Sequence, residues 1–131
     1  MRPEVAARLV ALDNPVLVGL IVDRFWPMRL KQKEQSTDII VPAVTYSVVS
    51  GVGHNDIPFA YPLVQFTAWG LTQAQARAVA DAVKWGIQRY KGVKGGVPFA
   101  QIVHEGDLDL YDPVTGYYAV PATYRLIHEE V

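Results

Sequence analysis

The stretch Thr72-Gln73-Ala74-Gln75-Ala76-Arg77-Ala78-Val79-Ala80-Asp81-Ala82-Val83-Lys84-Trp85-Gly86-Ile87-Gln88-Arg89-Tyr90 decides the fold. Ala76, Val79, Ala80, Val83, Ile87 and Tyr90 recur at three and four residues, which makes one apolar stripe of a helix. Arg77, Asp81, Lys84 and Gln88 fall mostly on the opposite side, with Arg77 and Asp81 at i,i+4. Thr72 is placed to cap the helix, Gln75 completes a capping box, and Gly92 is a C-terminal stop. A stripe this wide needs a sheet face beneath it.

The flanking segments supply strands. Val44 to Ser50 alternates, with Val44, Tyr46 and Val48 on one face, and Pro62 to Trp69 alternates through Val64, Phe66 and Ala68. Close in sequence and joined by the turn-rich Gly51 to Pro58, these two pair most simply as antiparallel neighbours. Val97 to His104 reads as a third strand and Tyr117 to Ile127 as a fourth. Pro121 predicts that the fourth is an edge strand or carries a bulge. Asp112-Pro113-Val114-Thr115-Gly116 between them has the residues of a tight turn. Upstream, residues 3–12 read as a short helix that Asp13-Asn14-Pro15 ends. Val16 to Val22 is an apolar run that periodicity assigns to neither helix nor strand. Arg29 to Asp38 is a polar loop with no pattern. The expected fold is α+β, a single domain over 1–131. One long helix packs on a mainly antiparallel four-stranded sheet, with a short N-terminal helix and a long polar loop.

Composition narrows the chemistry. The chain is 50% hydrophobic and 19% charged, the balance of a folded domain. A net charge of −1 is unlike a dedicated nucleic-acid binder. With no cysteine, disulfides, thiolate metal sites and cysteine nucleophiles are excluded. The first dozen residues lack the apolar core of a secretory leader, and no 18-residue apolar run exists to span a membrane. His54, His104 and His128 follow no metal-ligand spacing. His104 and Glu105 are adjacent in a strand and point apart, a poor base-and-orienter pair. Leu108 and Leu110 alternate with acids in a ribbon that has one acidic edge, unlike a calcium loop. Lys91 to Gly96 has the glycines of a phosphate loop without its order, and reads as a flexible helix exit. Phe25, Trp26, Tyr46, Tyr61, Phe66, Trp69 and Trp85 read mostly as core. No enzyme, catalytic residue, cofactor or metal is indicated.

Charge is unevenly distributed. Residues 1–94 carry 11 basic and 7 acidic side chains, whereas residues 95–131 carry 1 and 6. Arg24, Arg29, Lys31 and Lys33 crowd the early part, and Glu105, Asp107, Asp109 and Asp112 the late part. The two groups are solvated loop charges, partners within the fold, or partners between copies in a head-to-tail contact.

The ordered combination resembles the tail-completion, or tail-terminator, proteins of long-tailed bacteriophages. The matching features are a short helix with an Asn-Pro break, an apolar stretch ending at Phe25-Trp26-Pro27, and a polar loop. They continue with the strands Val44–Ser50 and Leu63–Trp69, the Ala-rich helix, and Leu110-Tyr111-Asp112-Pro113-Val114-Thr115-Gly116-Tyr117-Tyr118. The resemblance implies a structural virion protein with no catalytic residues, assembled in the host bacterial cytoplasm. It implies a homo-oligomer, a hexameric ring that caps the tail tube protein, ends tail growth and joins the tail to the head-completion (stopper) connector. DNA would pass through the lumen only as cargo. Glu105, Asp107, Asp109 or Asp112 is then expected to face Arg24, Arg29, Lys31 or Lys33 of a neighbour. Another neck or tail-tube ring component, and a small ligand- or nucleic-acid-binding α+β domain, are the competing readings.

Overall fold

Proline starts both N-terminal helices, α1 (Pro3–Leu12) and α2 (Pro15–Ile21), where its missing N–H breaks no helical bond. The computed structural model describes residues 2–22, 24–27, 41–50, 59–113 and 116–129. The apolar run after Asn14 is thus a helix. The Asn14 side chain caps it at Val16 N–H (3.1 Å) and donates to the Ala82 carbonyl (2.8 Å). The strands are β1 (Phe25–Pro27), β2 (Ala43–Ser50), β3 (Phe59–Ala60) and β4 (Leu63–Gly70). Helix α3 (Gln73–Ile87) follows, then β5 (Gly92–Lys94), β6 (Val97–Asp107), β7 (Leu110–Tyr111) and β8 (Tyr118–Glu129).

The expected four-stranded sheet under one long helix is incorrect. The strands form one mixed sheet in the order β1-β2-β4-β8-β6-β5, with β3 and β7 as short additions to β8. It curls into a half-barrel accompanied by three helices. The discrepancy has a physical source. Strands β1, β3, β5 and β7 are two or three residues long, too short to show a period, and they join the sheet by tertiary pairing. Strand β1 pairs parallel to β2, which makes the sheet mixed. The β2–β4 pair is antiparallel, as their closeness in sequence predicts. The polar loop Arg29–Asp38 and the whole Gly51–Pro58 connection lie outside the described residues, as do Val114 and Thr115.

The helices cover one face of the sheet. Ala76, Val79, Val83 and Ile87 of α3 meet Val64, Phe66, Val120, Ala122, Tyr124 and Leu126 in one core cluster. Phe66 makes edge-on ring contacts with Phe25 and Tyr124, each at 5.5 Å between centroids. Thr72 caps α3 by accepting from Gln75 N–H (3.1 Å), while the Gln75 side chain accepts from Leu71 N–H (2.8 Å). Gly70 is required at the strand–helix junction. A Cβ there would lie 2.6 Å from the backbone nitrogen of Ala76.

Three further expectations are corrected. Helix α3 ends at Ile87, with Gln88 as its C-cap, and not at Gly92: Arg89 turns to φ 65° and its N–H bonds the Ile102 carbonyl (2.8 Å). The Lys91–Gly96 exit is a hairpin, in which Lys94 pairs Val97 across Gly95 and Gly96, both at positive φ. Strand β8 is central, flanked by β4 on one side and by β6 and β7 on the other. Pro121 is tolerated there because N–H and C=O of one residue point to the same side of a strand. Its carbonyl accepts from Leu108 N–H (3.3 Å), so the missing donor points at the interruption between β6 and β7.

Candidate functional site

The late acids gather at that interruption. Pairs Asp107↔Ala122 in β6 and Leu110↔Ala119 in β7 share one register along β8, so β6 and β7 are one strand broken at Leu108 and Asp109. Gly106 sits in a bulge at φ 155°. The bulge inserts one residue, so His104 and Asp107 share the helix side of the sheet although they are three apart. The His104 ring packs edge-on against Tyr124 (5.1 Å), and its Nε2 lies 3.1 Å from Asp107 Oδ2. The partner of His104 is therefore Asp107. Glu105 points to the other face and accepts from Arg125 Nε (2.8 Å).

Arg77 of α3 is the hub of this cluster. Its guanidinium contacts Asp109 (2.6 Å) and Asp107 (3.1 Å), and Asp81 more distantly (4.0 Å). The hydrogen bond to Asp109 does most to hold the Arg77 pKa above its ordinary value, against partial burial. Burial pushes the Asp107 carboxyl up, but Arg77 and then His104 outweigh it and leave it below the ordinary carboxylate value. Glu105, Asp107 and Asp109 thus have cationic partners in their own chain. Asp112 belongs to the following turn, where its N–H bonds the Tyr117 carbonyl (2.9 Å) and its carbonyl accepts from Gly116 N–H (2.8 Å).

The selected cations lie elsewhere. Arg24 braces the end of α2 against the start of β2, donating to the carbonyls of Pro42 (2.8 Å) and Leu20 (3.4 Å). Arg29, Lys31 and Lys33 lie outside the described residues. The structure brings Asp107 and Asp109 together with Arg77, which the sequence pattern placed only opposite Asp81. It does not bring Arg24 to them. Gly106, isolated within a strand pattern, was the available signal for the bulge.

Beside this cluster lie two open hollows. One, of about 280 Å³, is lined by Gln73, Ala74, Arg77 and Asp109. The other, of about 440 Å³ and including Gln65, Glu105, Pro121 and Thr123, is on the face away from the helices. The exposure of two aromatic residues matters here. Trp85, expected in the core, is 79% exposed. Tyr124 is fully buried, and its hydroxyl has no hydrogen-bond partner among the described residues. Among the described residues there is no group of three His, Cys, Asp or Glu placed to hold a metal, and no helix long and apolar enough to cross a membrane.

No family model and no curated protein matches the chain. Among solved structures, it is similar to a chain in the virion of a native gene transfer agent particle, with a TM-score of 0.73 at 12% identity. The superposition covers 95% of this chain and 92% of that one. At this identity the likeness is one of fold, and it runs through nearly the whole of both chains.

Proposed function

We propose that this chain is a structural virion protein of a tailed, phage-like particle. Its role there is that of a tail terminator: a ring, six copies in closed form, that caps the tail tube and joins it to the head connector. The observation that carries this is the fold likeness to a virion component over 95% of the chain. The order of sequence features that resembles tail terminators selects the role within the virion. The role needs contact surfaces and no catalytic group. An acidic surface fits it, with Asp81, Asp107 and Asp109 set against the single guanidinium of Arg77. Such a surface favours a heterologous contact with a basic region of the next copy, which closes into a ring when the rotation fits.

The test is removal of the chain from a particle-producing strain, followed by electron microscopy of the tails. Tubes that overrun the normal length and lack heads are expected. Normal tails on heads overturn the proposal, and absence of any tube assigns the chain to the tube itself. Purified protein is expected at about 87 kDa, six copies of 14.5 kDa, in light scattering at high concentration.

A further inference from the structure

Helix α3 carries two unlike ends. At its C-terminal end Trp85 projects into solvent at 79% exposure, and Lys84, Gln88 and Arg89 line a hollow of about 270 Å³ with it. Neither Lys84 nor Arg89 is in an ion pair among the described residues. Residues 84–91 hold no acid. At the N-terminal end lies the hollow of Gln73, Ala74, Arg77 and Asp109, whose Arg77 also contacts Asp107 at 3.1 Å. One end is thus a bare aromatic flanked by unpaired cations. The other is a concave surface with more carboxylates than cations. Trp is among the residues that dominate binding energy when seated in a pocket, and opposed charge fixes the register of such contacts. A Trp this exposed is uncommon in a soluble fold, where it is highly buried on average.

We propose that these ends meet between copies: Trp85 of one chain seats in the hollow at Ala74 and Arg77 of the next. Lys84 and Arg89 then approach Asp107 and Asp109, and the indole lies against the Arg77 guanidinium, whose plane is held by those two carboxylates. The occupant is a second copy of this chain, because the two surfaces are complementary in charge and both belong to it. The contact is heterologous, head to tail along α3. It deepens the ring reading and rests on it for closure.

Absence of cysteine gives a direct test. Gln88→Cys and Ala74→Cys place one thiol beside each end. Within one chain the two sites are separated by about 20 Å of helix rise, too far for a disulfide. The two single variants are mixed at low salt and high concentration and oxidised. A disulfide-linked pair joining one of each is expected on a non-reducing gel. Adding Trp85→Ala to the Gln88→Cys chain should lower its yield at least about tenfold. Molar salt, which shortens charge screening to about 3 Å, should lower it as well. Thermal melts of each variant confirm folding. No mixed pair, or a yield unchanged by Trp85→Ala, overturns the contact. Rings in light scattering without the mixed pair overturn the contact and leave the ring. A mixed pair whose double variant polymerises without closing supports the contact and overturns the ring.

Discussion

Tyr124→Phe should stabilise this protein, which is the reverse of most core substitutions. Tyr124 is 0% exposed, between Phe66 and the His104 ring. Its hydroxyl has left water without gaining a partner among the described residues. A buried hydroxyl without a hydrogen bond costs about 1–3 kcal/mol. Phenylalanine keeps the ring contacts and removes that cost, so a gain of about 1 kcal/mol is expected at pH 7.

The same site makes the gain depend on pH with a determined sign. Burial, and after it the charges of Asp107 and Asp81, raises the Tyr124 pKa well above its ordinary value of 10.0. The unfolded chain therefore ionises first. Stability from this group is fully present below pH 10 and is lost as pH rises above it, by up to about 1.4 kcal/mol per pH unit. The difference between Tyr124→Phe and the parent should widen from about 1 kcal/mol at pH 8 to about 2 kcal/mol at pH 11. Urea unfolding followed by tryptophan fluorescence at both pH values measures it. The other tyrosines cancel in the difference. A variant less stable than the parent at pH 8, or a difference flat to pH 11, would refute the reasoning.

Gly70→Ala sets a Cβ 2.6 Å from the Ala76 nitrogen. It should cost about 2 kcal/mol or more, lowering Tm on the order of 5–10 °C; an unchanged melt would show that the β4–α3 junction has room. Arg89→Gly relieves the positive φ of 65° at the end of α3 and should add up to about 1 kcal/mol in urea unfolding. It also removes a cation from the proposed contact, so stability and self-association should move in opposite directions. The Asp107 pKa lies below its ordinary value of 3.8, so its contribution is present above that pH and lost as pH falls below it. Arg77→Ala should flatten this acid limb. The effect should stay within about 1 kcal/mol, because Arg77 is one-third exposed. An acid limb identical in the variant would remove Arg77 as the cause.

The legible parts of the fold are those whose signal is local. The stripe Ala76, Val79, Ala80, Val83 and Ile87 is buried as its period requires. The nearness of β2 and β4 in sequence indicated their antiparallel pairing, although burial along β2 does not alternate: Thr45 is buried and Val48 is exposed. Trp85 was misread because residue type was weighed ahead of position: it stands nine residues after Ala76, about two and a half turns, on the far side of the helix. The Gly95-Gly96 hairpin was readable from a two-residue Gly-Gly between Val93-Lys94 and Val97-Pro98-Phe99. Short strands β1, β3 and β7 were not readable, since two or three residues carry no period and their partners are distant in sequence. The candidate site was half legible. The acids were found, but a bulge at Gly106 brings His104 to Asp107, and Arg77 reaches them across about 30 residues of chain.

Pro121 links these observations. Read as the mark of an edge strand or a bulge, it lies in the middle of the sheet, facing the interruption of the strand next to it. Leu108 N–H reaches the Pro121 carbonyl at 3.3 Å. In an antiparallel ladder that bond has a reciprocal, from the N–H at 121 to the carbonyl of Leu108. Proline has no N–H to give. The ladder therefore lapses between Asp107 and Leu110, and Asp109 in that gap reaches Arg77 on α3. Pro121→Val supplies the donor. The new amide should exchange slowly with solvent, joining β6 to β7 as one strand, and Asp109 should be drawn away from Arg77. The cross-linking through Ala74→Cys should then fall with it. A fast-exchanging amide at 121 would mean that the Gly106 bulge and the Arg77 ion pairs hold the gap open without the proline.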